Sequence, residues 1–227
     1  MTDNRYNVFN QIHKGLRALL YDTALCIQQT DFSKDDASET INKISLVVDL
    51  FDEHAHHEDT YILPLVAAHD TAMVDDFEKD HEIDHKLSDA LREQVNEWTK
   101  AATKSERIAI GQSLFFSFNE FVAFNLYHMN KEENQLLYSL WKHNSDETLL
   151  QAQQAIIASI NPEILMIESR WMMRSLNNDE IIKWLTGVKI GAPEEVYNIY
   201  LKMAEEELPA NRYQSVISGL KPELVAA

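Results

Sequence analysis

A single cysteine, Cys26, stands in the 227-residue chain. That excludes an internal disulfide framework and any site built on several thiolates, zinc fingers and iron–sulfur clusters included. Cys26 lies in an apolar helical stretch and reads as a small core residue. Glycine and proline are scarce, five of each, so little punctuates the chain and long helices are favoured over many short strands. No apolar run approaches the roughly 20 residues that cross a bilayer. The opening residues MTDNRYN lack the basic-then-apolar order of a secretory signal, and a reducing, cytoplasmic compartment is the expectation. Basic residues are few: 20 Lys and Arg against 37 Asp and Glu leave a formal charge of −17. Such an exterior repels phosphate backbones and anionic lipid, so neither nucleic acid nor a membrane surface is an expected partner.

Apolar residues recur at three-and-four spacing instead. The first predicted helix runs from about Asn4 to Gln29, capped by Asp3 or Asn4, with Phe9, Ile12, Leu16, Leu19, Leu20, Ala24 and Ile27 on its stripe. A second carries Ile41, Ile44, Val47, Val48, Phe51, Ile62, Leu65 and Val66, and Pro64 should kink it near its end. A third begins around Asp75-Asp76 with Phe77, Ile83, Leu87, Leu91, Val95 and Trp98; a fourth follows Thr103-Lys104-Ser105. Four such helices joined by short polar breaks predict an all-α, antiparallel up-down four-helix bundle over residues 1–144. Residues 145–227 read as a helical C-terminal extension. There Pro162 and Pro193 stand at first turns and Gly187, Gly191 and Gly219 at stops. The extension is too apolar to be solvated, so it must pack on the bundle, on itself or on a second copy, and a homodimer through it is one expectation.

The histidines carry the chemistry. His54 and Glu58 are four apart, as are His128 and Glu132, so each pair shares one helix face. Both pairs fall in phase with apolar neighbours: Phe51, His54, Glu58, Ile62 and Leu65 on one helix, and Phe118, Phe121, Asn125, His128, Glu132 and Leu136 on the other. The first helix adds His13 on its inward stripe, and the third adds His81 and His85, at four-residue steps from Phe77. A lone His-x-x-x-Glu match is weak, since nine histidines yield about one by chance; His143-Glu147 is such a match. Seven ionisable residues aimed inward on four successive helices are another matter. Buried unpaired carboxylates cost several kcal/mol each, and a shared cation removes that cost. His56, His57 and His69 are assigned no metal role, although His57 borders the inward face.

Seven nitrogen and carboxylate donors exceed what one tetrahedral zinc uses, and a magnesium or calcium site would not recruit so many imidazoles. Two transition ions bridged by Glu58 and Glu132 use the whole set, with iron the expected occupant and manganese or zinc the alternatives. A ferritin-like site needs a Glu from each of two helices plus Glu-x-x-His from the other two. Glu53-x-x-His56, Glu78-x-x-His81 and Glu82-x-x-His85 match the spacing, yet the first helix contains no glutamate, and this reading is set aside.

His13 in IHKGLRALL, His54 and Glu58 in HAHHEDTYILP, His81 in KDHEIDHKL, and His128 with Glu132 in HMNKEENQLLYSLW resemble the hemerythrin-like family and its HHE cation-binding domains over residues 5–142. The resemblance implies an up-down bundle with a carboxylate-bridged di-iron centre. Dioxygen-carrying members pair a His-x-x-x-His third helix with a last histidine one residue farther from an aspartate. Here His81-His85 fits the first feature, whereas His128-x-x-x-Glu132 is similar to the iron–sulfur repair and nitric-oxide-responsive members. Tyr138 stands where a second proline often follows.

Three functions follow as expectations. One is a module that binds or senses dioxygen or nitric oxide, favoured if His85 is a seventh ligand. Another is a redox enzyme or iron donor acting on nitric oxide or peroxide or in cluster repair, favoured by six ligands and exchangeable water; Tyr61 would then be a proton or electron source rather than a core tyrosine. The last is a sensor signalling through residues 145–227.

Overall fold

The computed structural model describes residues 5–220, and among these there is helix but no strand. The long elements are α1 (Asn10–Gln29), α2 (Ser38–His57), α4 (Thr71–Lys100) and α5 (Lys104–Lys131), with a four-residue α3 (Pro64–Ala67) between the second and third. After α5 come α6 (Leu137–His143), α7 (Asp146–Ser159), α8 (Pro162–Ser175), α9 (Asn178–Gly191), α10 (Glu194–Glu207) and α11 (Ala210–Gly219). No helix is long and apolar enough to cross a membrane among the described residues.

The chain forms two compact units. Among the described residues, one comprises residues 5–10 and 19–161, the other residues 11–18 and 162–220. In the first unit, side-chain contacts join the long helices to one another. Lys43 reaches back to Asp22, and Thr40 bonds Thr30, between α2 and α1. Arg92 reaches Asp49 and Asp52 between α4 and α2, and Gln94 binds Ser113 and Ser117 between α4 and α5. In the second unit Met172, Met173, Leu176, Ile181, Leu185, Tyr200, Met203 and Val216 form a core of their own. The expected extension therefore divides: Leu149 of α7 packs with Val8, Phe9, Ile62 and Leu136 in the first unit, while these residues of α8–α11 pack on each other.

Helix ends depart from expectation where polar caps decide them. The expected caps Asp3 and Asn4 lie outside the described residues, and α1 starts only at Asn10, where Asn7 Oδ1 accepts from the amides of Phe9 and Asn10. Residues before it are tied to the far end of the unit: Arg5 donates to the carbonyls of Trp141 and Asn144, and Trp141 Nε1 to the carbonyl of Tyr6. The third long helix begins at Thr71, not near Asp75, because Asp70 caps it by accepting from the Met73 amide. Thr103 and Glu106 form the reciprocal capping box that starts α5. In the extension, Pro162 opens α8 and Gly191 and Gly219 close their helices as expected, but Gly187 lies inside α9 and Pro193 is the cap of α10 rather than its first turn.

Two further departures bear on the site. The expected second helix is not one α-helix: at Glu58–Ile62 it widens into a π turn, with the Leu63 amide bonding Glu58 O at 2.9 Å, and Pro64 then opens α3. The same widening occurs at Glu132–Leu136. On α4 the buried seam is Phe77, His81, Asp84, Ser88, Leu91 and Trp98, while Ile83, expected inside, is 44% exposed.

A tight contact lies at the end distant from these turns. Gly111 of α5 meets Phe32, whose carbonyl accepts from Trp98 Nε1 at 3.2 Å. A Cβ at Gly111 would overlap the Cβ and ring of Phe32, so overpacking is the expected result. Gly111→Ala should lower the unfolding free energy by about 1–3 kcal/mol in a denaturant titration. An unchanged midpoint would contradict this packing.

Candidate metal centre

Two helix ends and one helix middle build the centre. His54 and Glu58 come from the end of α2, His81 from α4, and His128 and Glu132 from the end of α5. His54 Nε2 lies 3.2 Å from Glu58 Oε1, His81 Nε2 3.3 Å from Glu58 Oε2, and His128 Nε2 3.0 Å from Glu132 Oε1. His81 Nε2 is also 4.0 Å from Glu132 Oε1, so Glu58 and Glu132 face a common imidazole. Glu58, His81, His128 and Glu132 each offer a donor atom within 4.8 Å of the others. His54, Glu58 and Glu132 likewise offer donors within 4.8 Å of one another, so the two carboxylates are common to both sets.

The surroundings are dry. Glu132 is fully buried, Glu58 and His81 nearly so, and the edge of Phe77 and the stacked ring of Phe124 wall in His128 at centroid distances of 5.9 Å. Below, Phe51 and Phe121 meet edge to face at 5.2 Å. Burial opposes charge on His81, yet the hydrogen bonds that its protonated ring donates to Asp59, Glu132 and Glu58 outweigh it and raise its pKa to about 12. His128 is raised for the same reason: burial opposes, and Glu132 and Glu58 prevail. Two buried carboxylates facing three imidazole nitrogens form a donor set suited to a transition ion. Without a cation, only protons hold the group together.

Both π turns begin at these glutamates. A turn of five residues instead of four delays the next inward position. The core accordingly continues at Ile62, Leu63 and Val66 after Glu58 and at Leu136, Leu137 and Leu140 after Glu132. Leu65, expected inside, is only partly buried. Turns of this kind gather at functional sites, and here each one re-aims the residues beside a carboxylate.

The seven expected ligands do not all meet. His54, Glu58, His81, His128 and Glu132 converge as above. His13 is completely buried on α1, in the segment that groups with the second unit. His85 stays apart: its side chain is 49% exposed and its Nδ1 lies 3.1 Å from Asp52 Oδ1. Four residues along a helix add about 40° of rotation beyond a full turn, and that rotation carries His85 off the buried seam toward α2. His56 is exposed, and His57 is buried beside the Tyr61 ring at 6.3 Å, its pKa lowered by burial. His69 and His143 stack at 4.1 Å.

Sequence reasoning missed the carboxylates that support the imidazoles. Asp59 Oδ1 lies 2.7 Å from His81 Nδ1, and Asp80 Oδ2 3.3 Å from His128 Nδ1. It also missed Asp84, buried on the same seam as His81, where Asn125 Nδ2 donates to it at 2.6 Å and burial raises its pKa against that bond. Asp84 was findable as the residue at three-and-four spacing between His81 and Ser88. Asp59 was not, because the π turn places it.

A model of the hemerythrin HHE cation-binding domain matches residues 4–140, more than half of the chain. No curated protein and no solved structure matches.

Proposed function

Since the chain belongs to the hemerythrin HHE cation-binding family, whose helical domain binds metal, we propose that it holds two iron ions and binds or senses dioxygen or nitric oxide there. The observation that carries this reading is the sharing of Glu58 and Glu132 by two donor sets. One ion takes His81 and His128 with the two carboxylates; the other takes His54 and, on the strength of its burial and its inward place on α1, His13. Manganese or zinc would accept the same donors. An antiparallel four-helix arrangement over residues 1–144, with residues 145–227 as an extension, belongs to the same proposal. So do a cytoplasmic location and a homodimer through the extension, which the exposed Ile190 and Ile199 support.

A bound iron pair supplies reversible coordination of small diatomic molecules and one-electron chemistry. The protein's part is to exclude water with Phe77, Phe121 and Phe124, to hold Glu58 and Glu132 by burial, and to present Nε2 of each histidine.

A second reading, a redox enzyme or iron donor acting on nitric oxide or peroxide or in cluster repair, is favoured by one observation. His85 is held by Asp52 outside the donor set, so six donors leave exchangeable positions on both ions. One experiment separates the two. Ferrous-loaded protein is exposed to dioxygen and its visible spectrum followed. A charge-transfer band that appears with dioxygen and disappears on degassing supports binding or sensing; iron oxidation or release without a reversible band supports the second reading. A colourless, unreactive protein would contradict both.

A further inference from the structure

His81 is gripped from both sides by two adjacent residues. Glu58 Oε2 faces its Nε2 at 3.3 Å while Asp59 Oδ1 takes its Nδ1 at 2.7 Å. Neighbouring side chains of a helix diverge by about 100°, and at the start of the π turn Glu58 and Asp59 reach opposite nitrogens of the one imidazole. The second π turn has a counterpart. Glu132 Oε1 faces His128 Nε2 at 3.0 Å, and the residue before it, Lys131, binds Asp80 Oδ2 at 2.6 Å. That same oxygen lies 3.3 Å from His128 Nδ1. Lys131 is itself fixed, bonded to Asp76 at 2.6 Å and lying 4.5 Å over the Phe77 ring. Each imidazole of this set therefore has a carboxylate on the nitrogen that points away from the centre.

We propose that Asp59 and Asp80 are positioning residues for one half of the metal centre, fixing the Nδ1–H tautomers of His81 and His128 and so strengthening the grip of both Nε2 atoms on a single ion. A carboxylate accepting from Nδ1–H orients the ring and makes the other nitrogen a stronger donor, and loss of such a partner typically costs about 10–100-fold in metal affinity. The effect is confined to the ion that His81 and His128 hold. The inference rests on the two-ion reading above.

The test is a ferrous or zinc titration of the full chain against a competing chelator, for wild type, Asp59→Asn and Asp80→Asn. Each variant should weaken one of two binding steps by about 10–100-fold and leave the other step where it was. Asp59→Ala and Asp80→Ala, which also remove the acceptor oxygen, should weaken that step further. Circular dichroism of the metal-free variants, matching wild type, shows that the loss is not unfolding. Affinities unchanged at both steps, or weakened equally at both, would overturn the inference while leaving the two-ion reading in place. A wild-type chain that takes up no ion overturns that reading and this inference with it.

Discussion

Glu58→Ala and Glu132→Ala should each empty the centre of both ions, whereas His54→Ala should cost one. The reasoning lies in the sharing. Glu58 presents one oxygen to His54 and the other to His81, at 3.2 and 3.3 Å, and Glu132 belongs to both donor sets. Removing either carboxylate takes a ligand and a negative charge from both ions at once. What remains offers each ion a single carboxylate beside neutral imidazoles, too little negative charge to hold either cation tightly. Removing one carboxylate also takes a partner from the buried imidazoles of His81 and His128, so the metal-free Glu132→Ala chain should melt below metal-free wild type while keeping its helical circular-dichroism spectrum. Metal content after loading and gel filtration reads the first expectation, falling from about two ions per chain toward zero. Retention of both ions by either variant would rule out a bridging role for that carboxylate.

Stripping the metal should cost the wild-type protein much of its stability, by an amount that depends on pH in a definite sense. A ligand that binds only the folded chain at a free concentration a thousandfold above Kd contributes about 4 kcal/mol, a melting difference of about 8–16 °C for a chain of this size. In the metal-free protein His81 has its pKa raised from 6.5 to about 12, against burial, by Asp59, Glu132 and Glu58. A raised folded pKa stabilises fully below the unfolded value, and that contribution is lost as pH climbs through the folded one. The metal-free chain should therefore lose the His81 contribution progressively from about pH 6.5 upward. The loaded chain moves the other way. His81 and His128 must shed protons to bind, so metal uptake acidifies a weakly buffered solution and affinity rises with pH. The gap in melting temperature between loaded and stripped protein should widen between pH 6 and 8. A gap that narrowed over that range would contradict the assignment of His81 and His128 as displaced-proton ligands.

Helix periodicity exposed the all-helical class and the inward phase of His54, Glu58, His128 and Glu132, because burying ionisable residues among Phe51, Phe118 and Phe121 breaks an otherwise apolar stripe. The two π turns were invisible. No residue type marks such a turn, which is rare and gathers at functional sites. Asp59 and Leu63 were therefore out of sight as well. On the third long helix two stripes competed. Ile83 and Leu87 argued for one face, His81 with Asp84 and Ser88 for another, and the polar residues won the interior because Asn125 of α5 donates to Asp84. His85 belonged to neither. The start of α1 was misjudged because Asn4 and Asn7 are equally good capping types, and only the bonds of Arg5 to α6 residues and beyond decide between them.

The most direct test of two cations sharing Glu58 and Glu132 is elemental analysis of the purified chain after anaerobic ferrous loading and removal of loose metal. Two irons per chain, reduced to about one by His54→Ala and to near zero by Glu132→Ala, is the predicted pattern. A wild-type chain with no tightly held iron, or a single ion indifferent to Glu132, would contradict it.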